Sequence, residues 1–551
     1  MRQNTRKAAS TILLSMLFAA HGDSGSASGS NEPTATPIKH LVVIYGENQS
    51  FDHYFGTYPH ALNPKGEPIF RASPLTPEVN GFTYALLHIN PNLNPANGKG
   101  AGNPFRLDRS QALTSDQNHD YGPEQQAFDK GKMDLFPEYT GTAGTGGTGQ
   151  FETTGLVLGY YDGNTVTALW NYAQHFALND NSFGSQFGPS TVGALNLASG
   201  QTNGANYYDP TGKKIGADND AVVDDGQGGL TVIGDPDPYL DACATTTGDT
   251  AEKLGQNIGD LLNKKGVTWG WFQGGFNLSL KNSNGTTGCS RSSTSAVLNN
   301  VLQKDYVPHH EPFQYYPSTR NPKHTNPSSV AAVGTSHDGG ANHQYDLDYF
   351  SAALDANNLP AVSFLKARKY QNAHPANSDP LDEQTFLVTV INALQESNYW
   401  ESTAVILAYD DSDGWYDHVQ HVIKPSTSAE DFFLGPNECG PLNSHEKLTP
   451  GTPPSNALPG INGKPVNGRC GYGPRLPLLV ISPYANHNFV DHTLTDQSSI
   501  IKFIEDNWLN GERIGQGSYD AIAGSLENMF DFHQKPTTKL ILDPNTGNPV
   551  N

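Results

Sequence analysis

Glu47-Asn48 closes the apolar run IKHLVVIYG, and Asp410-Asp411 closes a second one, STAVILAY. Carboxylate and amide oxygens gathered from separate strand ends are the hard ligands that suit a divalent cation facing a phosphate. Between them in the chain, the turn FGPST offers Ser190, a hydroxyl that attacks phosphorus once a base or a metal lowers its pKa. The three pieces together outline a phosphoryl-transfer site. Singly they say less. A strand-end Glu such as Glu47 commonly caps a helix or faces water, and Ser190 alone reads better as a helix N-cap, with Thr191 as a competing hydroxyl. The doublet Asp410-Asp411 weighs more, because adjacent carboxylates at the end of a buried strand repel unless a cation or several donors neutralise them.

The FGPST turn reads G-x-S-x-x-G, so it misses the hydrolase nucleophile elbow by one position. It also lacks the Cys/Ser-x-Pro-x-Arg arrangement of a sulfatase nucleophile. Cationic or proton-donating partners come from polar loops: His119 and Lys132 in QNHDYGPEQQAFDKGKMD, His309-His310 in DYVPHHEPFQYY, and His374 in KYQNAHPANSDPLDEQ. One loop histidine is usually a solvated or capping residue; four around one strand-end site form a joint hypothesis. Asp413, Asp417 and His418, which follow the acidic doublet, read as turn or supporting residues.

Strands and helices must alternate to bring these groups together. After the strand 38–46, residues 166–176 place Val166, Leu169, Trp170, Ala173 and Phe176 on one helical face, and FALND extends toward the FGPST turn. TVGALNLAS opens a second helix, 251–266 a third, followed by the strand VTWGWFQ. AVSFLK (361–366) is a short strand, and Asp379-Pro380 marks an N-cap with Pro in the first turn. That helix feeds STAVILAY; LPLLVISPYA (476–485) and a helix at 498–508 complete the pattern. Such alternation predicts a mostly parallel sheet with helices on both faces and catalytic groups at the carboxyl ends of the strands. Long loops near 60–118, 140–149, 200–250, 277–345 and 415–475 are expected to form a cap where substrate choice resides.

The chain has 551 residues, 55 acidic against 33 basic, for a net charge of -22. That balance excludes broad attraction to nucleic acid or an anionic bilayer, and a phosphate would need local cations. Arg2, Arg6 and Lys7 before AASTILLSMLFAA read as an export signal, so residues 1–30 are expected to be a signal peptide and disordered start of a periplasmic or secreted protein. The apolar stretch is short for a membrane span, and stable membrane insertion is not expected. A single domain is expected over 37–535 and a C-terminal tail over 536–551. Four cysteines in an exported chain predict two disulfides, most simply 243–289 and 439–470.

In order along the chain, EN-x-SFDHYFG, GKMD, FGPST, HHEPFQYY and YDDSDGWYDH resemble the phospholipase C/phosphoesterase superfamily. YYDGNTVTALWNYAQHFALND and WGWFQGGF are similar to its bacterial acid phosphatase branch, and the likeness runs from about residue 37 to 510. The resemblance implies an alkaline-phosphatase-like three-layer α/β/α sandwich. It implies one divalent metal ion held by Glu47, Asn48, Ser190, Asp410 and Asp411, with His119, Lys132, His309, His310 and His374 around the phosphate and leaving group. Oxygen ligation leaves Mg²⁺, Ca²⁺, Mn²⁺ and ferrous iron open. The activity implied is a secreted acid phosphatase acting on phosphate esters through a phosphoserine. The alternative is a phospholipase C cleaving phosphocholine lipids, with Trp269, Trp271 and Tyr315 as a headgroup site. The phosphatidylcholine-cleaving branch usually carries Thr where this chain has Ser190, and many of those lipases carry extra C-terminal domains where this chain ends soon after residue 508. Both departures favour the phosphatase.

Overall fold

The computed structural model describes residues 33–295, 301–419, 459–464, 466–534 and 539–550. The expected signal and Cys439 lie outside the described residues. Eight strands form the main sheet among the described residues: β1 (His40–Gly46), β2 (Ala177–Asn179), β3 (Trp269–Gln273), β4 (Gln344–Asp346), β5 (Val362–Lys366), β6 (Thr403–Tyr409), β7 (Leu478–Ile481) and β8 (Phe489–Asp491). Their order is β4-β3-β5-β1-β6-β7-β2-β8. Only β7 runs antiparallel to its neighbours, so the sheet is mostly parallel. Every residue of β1 and β6 is buried, which requires cover on both faces and explains their unbroken apolar sequences.

The helices supply that cover. α1 (Thr167–His175) packs against α5 (Pro380–Glu396), while α2 (Ser190–Ser199) meets both α3 (Ile258–Lys265) and α6 (Ser498–Trp508). α4 (Leu347–Asp355) lies along β3 and β4. As expected, Asp379 caps α5, its carboxylate accepting from the Leu381 and Asp382 amides ahead of Pro380.

Register positions the site. His40 through Gly46 lie opposite Thr403 through Tyr409, so the first residues beyond β1 and β6, Glu47 and Asp410, emerge side by side. On the other flank Ile44 pairs with Leu365, which brings Lys366 at the end of β5 to the same edge.

Three expectations are corrected. The 200–250 insertion is a second, mainly antiparallel sheet built from Asn203–Tyr208, Lys214–Ile215, Val222–Asp224, Leu230–Val232, Asp237–Pro238 and Thr250–Lys253. The helix expected over 251–266 starts only at Ile258, after a capping box between Asn257 and Asp260; its first part is a strand of that second sheet. Residues 539–550, read as a tail, are docked along α5: the Gln395 and Asn392 amides donate to the Leu540 and Leu542 carbonyls, and Leu542 is buried. The Cys243–Cys289 disulfide is present.

Candidate active site

Ser190 is the first residue of α2, not its cap; Pro189 holds that position. Gly188 approaches with φ of 116°, and a Cβ there would lie 3.0 Å from the Ile233 carbonyl oxygen, so this step of the turn suits glycine. The Ser190 hydroxyl lies 3.2 Å from Glu47 Oε2, 3.4 Å from Asn48 Oδ1 and 3.1 Å from Asp411 Oδ2. All four side chains are buried. Thr191 Oγ1 instead faces the Tyr315 hydroxyl at 3.5 Å, while its amide donates to Asp235. That resolves which hydroxyl belongs to the cluster. Asn48 itself takes the left-handed backbone (φ 54°) that Asn tolerates, and its amide donates to Asp410 Oδ1 at 3.1 Å.

Of the two adjacent carboxylates, Asp411 faces the hydroxyl and Asp410 turns to Lys366, whose ammonium is 2.9 Å from Asp410 Oδ2 and also contacts Glu47 Oε1. Lys366 is fully buried and did not emerge from the sequence reading, although it closes the apolar run AVSFLK much as Glu47 closes the run before it. His310 Nδ1 lies 3.1 Å from Glu47 Oε1, and His309 stacks edge-on against His310 with ring centroids 4.6 Å apart. His119 Nε2 lies 3.4 Å from the Asn48 amide, and its ring centroid is 6.1 Å from that of His374. Lys132 is not drawn in: its amine is exposed and pairs with Asp129 at 2.6 Å. Asp413, read as a turn or supporting residue, supports the cluster, its Oδ2 accepting from the Gln117 amide and its Oδ1 lying 3.5 Å from His119 Nδ1.

The Phosphoesterase family's sequence profile matches residues 38–509, most of the chain. The chain belongs to the Phosphoesterase family. This phosphoesterase is 24% identical over 526 residues to "Phospholipase C A" of Mycobacterium tuberculosis, an alignment covering 94% of this chain and 81% of that protein. It is 25% identical to "Non-hemolytic phospholipase C" of Pseudomonas aeruginosa over 90% of this chain but 57% of that protein. Murine ectonucleotide pyrophosphatase / phosphodiesterase 5 aligns over 66% of this chain and 95% of its own at 10% identity, with a TM-score of 0.28 that adds nothing to the assignment. The enzyme is a hydrolase acting on phosphate esters.

Electrostatics divide the phosphoesterase's site into roles. Burial and the neighbouring Asp410 push Glu47 well up, against the pull of Lys366. Burial lifts Asp411 to about 7, with His119 opposing and Asp410 adding. Asp410 is held below the usual range because Lys366 and its hydrogen bonds outweigh its burial. Burial lowers His119, yet Asp411, Asp413 and Asp116 more than reverse this and favour the imidazolium. His309 is raised as well, Asp235 and Asp237 outweighing burial. His310 is driven well down by burial, His309 and Lys366, and His374 is lowered chiefly by burial. The shifts therefore favour the imidazolium at His119 and His309 and the neutral ring at His310 and His374.

The donor set fits a divalent cation. One serine proton faces three side-chain oxygens within 3.4 Å, and of the three buried carboxyl groups Glu47 and Asp410 share the Lys366 ammonium while Asp411 does not meet it. That surplus of buried, negatively charged oxygen is the environment that suits a hard divalent ion. Asp116, His119, His374 and Asp413 make a second group of potential ligands, with donor atoms within 4.8 Å of one another.

Proposed function

We propose that this phosphoesterase is an exported, metal-dependent phosphomonoesterase that works at acid pH through a phosphoserine on Ser190. The observation that carries the reading is the Ser190 hydroxyl ringed by Glu47, Asn48 and Asp411 at the start of α2. A divalent ion held by Glu47, Asn48, Ser190 and Asp411, with Asp410 behind, would lower the hydroxyl's pKa and offset charge on the phosphoryl oxygens. In the first step Ser190 Oγ forms a bond to phosphorus as the bond from phosphorus to the alcohol oxygen breaks. The serine proton passes to Asp411 Oδ2 or Glu47 Oε2, and the leaving oxygen takes a proton from an imidazolium. His309 and His119, both raised, favour the protonated form that such donation needs, whereas His374 is lowered. Water then attacks phosphorus as the imidazole takes its proton, the seryl bond breaks, and the hydroxyl recovers its proton from the carboxyl group that held it. Because the imidazolium form is needed, activity is lost as pH rises through the histidine pKa values.

Export is supported by the Cys243–Cys289 disulfide, a bond that persists in oxidising compartments. A second reading, phospholipase C, is favoured by the printed names of the curated relatives. Against its headgroup site, Trp269, Trp271 and Tyr315 are fully buried, and the two tryptophans pack around Phe313. The test uses p-nitrophenyl phosphate and phosphatidylcholine vesicles side by side with Ser190→Ala protein. We expect the monoester to be the better substrate, Ser190→Ala to lose at least about a thousandfold in rate, and acid-quenched wild-type protein to carry phosphate on serine. A Ser190→Ala enzyme that kept most of its activity would overturn the nucleophile, and efficient lipid cleavage with a poor monoester rate would favour the second reading.

A further inference from the structure

We infer that the cleft beside His309 is an anion-binding subsite for the leaving group, selecting phosphate monoesters whose alcohol carries a second acidic group. The cleft has a volume of about 460 Å³ and is lined by Lys304, Lys369, Tyr306, His309 and Asp237, with Cys243 of the disulfide in its wall. It opens next to the candidate nucleophile: His309 packs on His310, His310 meets Glu47 at 3.1 Å, and Glu47 is 3.2 Å from Ser190 Oγ. A leaving group departing from phosphorus past His309 would enter it.

The two lysines are held together by the fold. Lys369 begins the turn Lys369–Gln371 just beyond β5, and its amide donates to the Asp305 carbonyl at 3.2 Å. The strand Leu302–Lys304 packs on that same turn. Burial lowers the Lys369 ammonium, Glu47 raises it, and the nearby Lys304 lowers it again. Like charges side by side are unfavourable unless something negative joins them. In a chain with 55 acidic residues against 33 basic ones, carboxylates to pair them are plentiful. Yet among the described residues neither ammonium forms an ion pair. The cleft's own carboxylate is already engaged: Asp237 Oδ2 accepts from the Thr245 amide at 2.7 Å, and Oδ1 lies 3.4 Å from His309 Nδ1. Two free ammonium groups at the mouth of a phosphoester site attract a carboxylate or a second phosphate. They oppose a quaternary ammonium, so the same cleft disfavours a choline headgroup.

This inference rests on the phosphomonoesterase reading, and its test separates the two. The probes are glycerol 3-phosphate and 3-phosphoglycerate, which differ in exchanging a neutral hydroxymethyl for a carboxylate. We expect wild-type kcat/KM to favour 3-phosphoglycerate by about tenfold, mainly through KM, and Lys304→Gln/Lys369→Gln to reduce that ratio to about one. The preference should also shrink as salt rises. Calorimetry with Ser190→Ala protein reads the same pair of ligands without turnover. Equal affinities there, or a preference that survives the double substitution, would overturn the subsite even if the enzyme proved to hydrolyse neither ester. Wild-type protein that turned over neither ester while the affinity difference stayed intact would instead count against the phosphomonoesterase reading and for the subsite.

Discussion

Replacing Gly193 by alanine puts a methyl group where the backbone of Asp410 already lies. An ideal Cβ at 193 would sit 2.1 Å from the Asp410 carbonyl oxygen and 2.7 Å from its carbonyl carbon, whereas ordinary contact begins at 3.4 Å. The obstacle is backbone at the end of a buried strand and cannot rotate away. α2 and the end of β6 must therefore part by 3.4 − 2.1 = 1.3 Å. In stability the change is mild, since overpacking costs about 1–3 kcal/mol while alanine gains up to about 1 kcal/mol over glycine in helix propensity. Activity is the decisive reading. Ser190 lies one turn upstream on the same helix, and its 3.1 Å contact to Asp411 opens as the helix shifts. Misplacement of this size costs about a hundredfold. The assay is kcat/KM for p-nitrophenyl phosphate beside a urea melt, with Gly122→Ala as control. Gly122 is helical with nothing within 4 Å of the added methyl, so that variant should be slightly stabilised at unchanged rate. If Gly193→Ala hydrolysed ester within about twofold of wild type, the packing of α2 on the strand end would not be what positions the hydroxyl.

Lys366→Met should lower the urea midpoint by an amount equivalent to about 3–5 kcal/mol, because Glu47 and Asp410 lose the ammonium buried between them; an unchanged midpoint would show that Lys366 is dispensable there. Lys132→Ala should leave kcat/KM within about twofold, since among the described residues its exposed amine pairs with Asp129; a large loss would return Lys132 to the site. A buried ion network of Asp52, His418, Arg475 and Asp417 ties the turn after β1 to the segment after β6. Burial lowers His418, but Asp52 reverses this and raises it. Its contribution is therefore fully present below the unfolded histidine value and is lost as pH rises through the folded one. Asp52 is held low, with His418 and Arg475 outweighing burial, so its share is present above the unfolded carboxylate value and lost only as pH falls through the folded one. Melting temperature against pH should thus fall on the alkaline side of histidine titration in wild type, and His418→Gln should flatten that limb; parallel curves would refute the assignment.

The convergence of Glu47, Asn48, Ser190 and Asp411 was legible because two long apolar runs each end in acid, and parallel neighbours of equal length bring their ends level. Lys366 carries the same signal at the end of β5, but a lone terminal lysine on a short strand looks like any solvated strand end until register places it beside Glu47. The second sheet escaped because its strands are two to six residues long, too short for a period to show. Local preference suggested that Ser190 caps its helix, yet Pro189 takes that role and frees the hydroxyl for three partners contributed by distant elements. Lys132 shows the reverse case: Asp129, Lys130 and Met133 all adopt left-handed backbone around it, and the loop carries the amine outward. What spacing cannot encode is which imidazole holds a proton. His119 and His374 lie with ring centroids 6.1 Å apart but shift in opposite directions. Asp411, Asp413 and Asp116 together outweigh burial at the first, whereas burial prevails at the second and the charge on His119 works with it. The split between acid and neutral partner thus follows from where carboxylates from two separate segments come to rest.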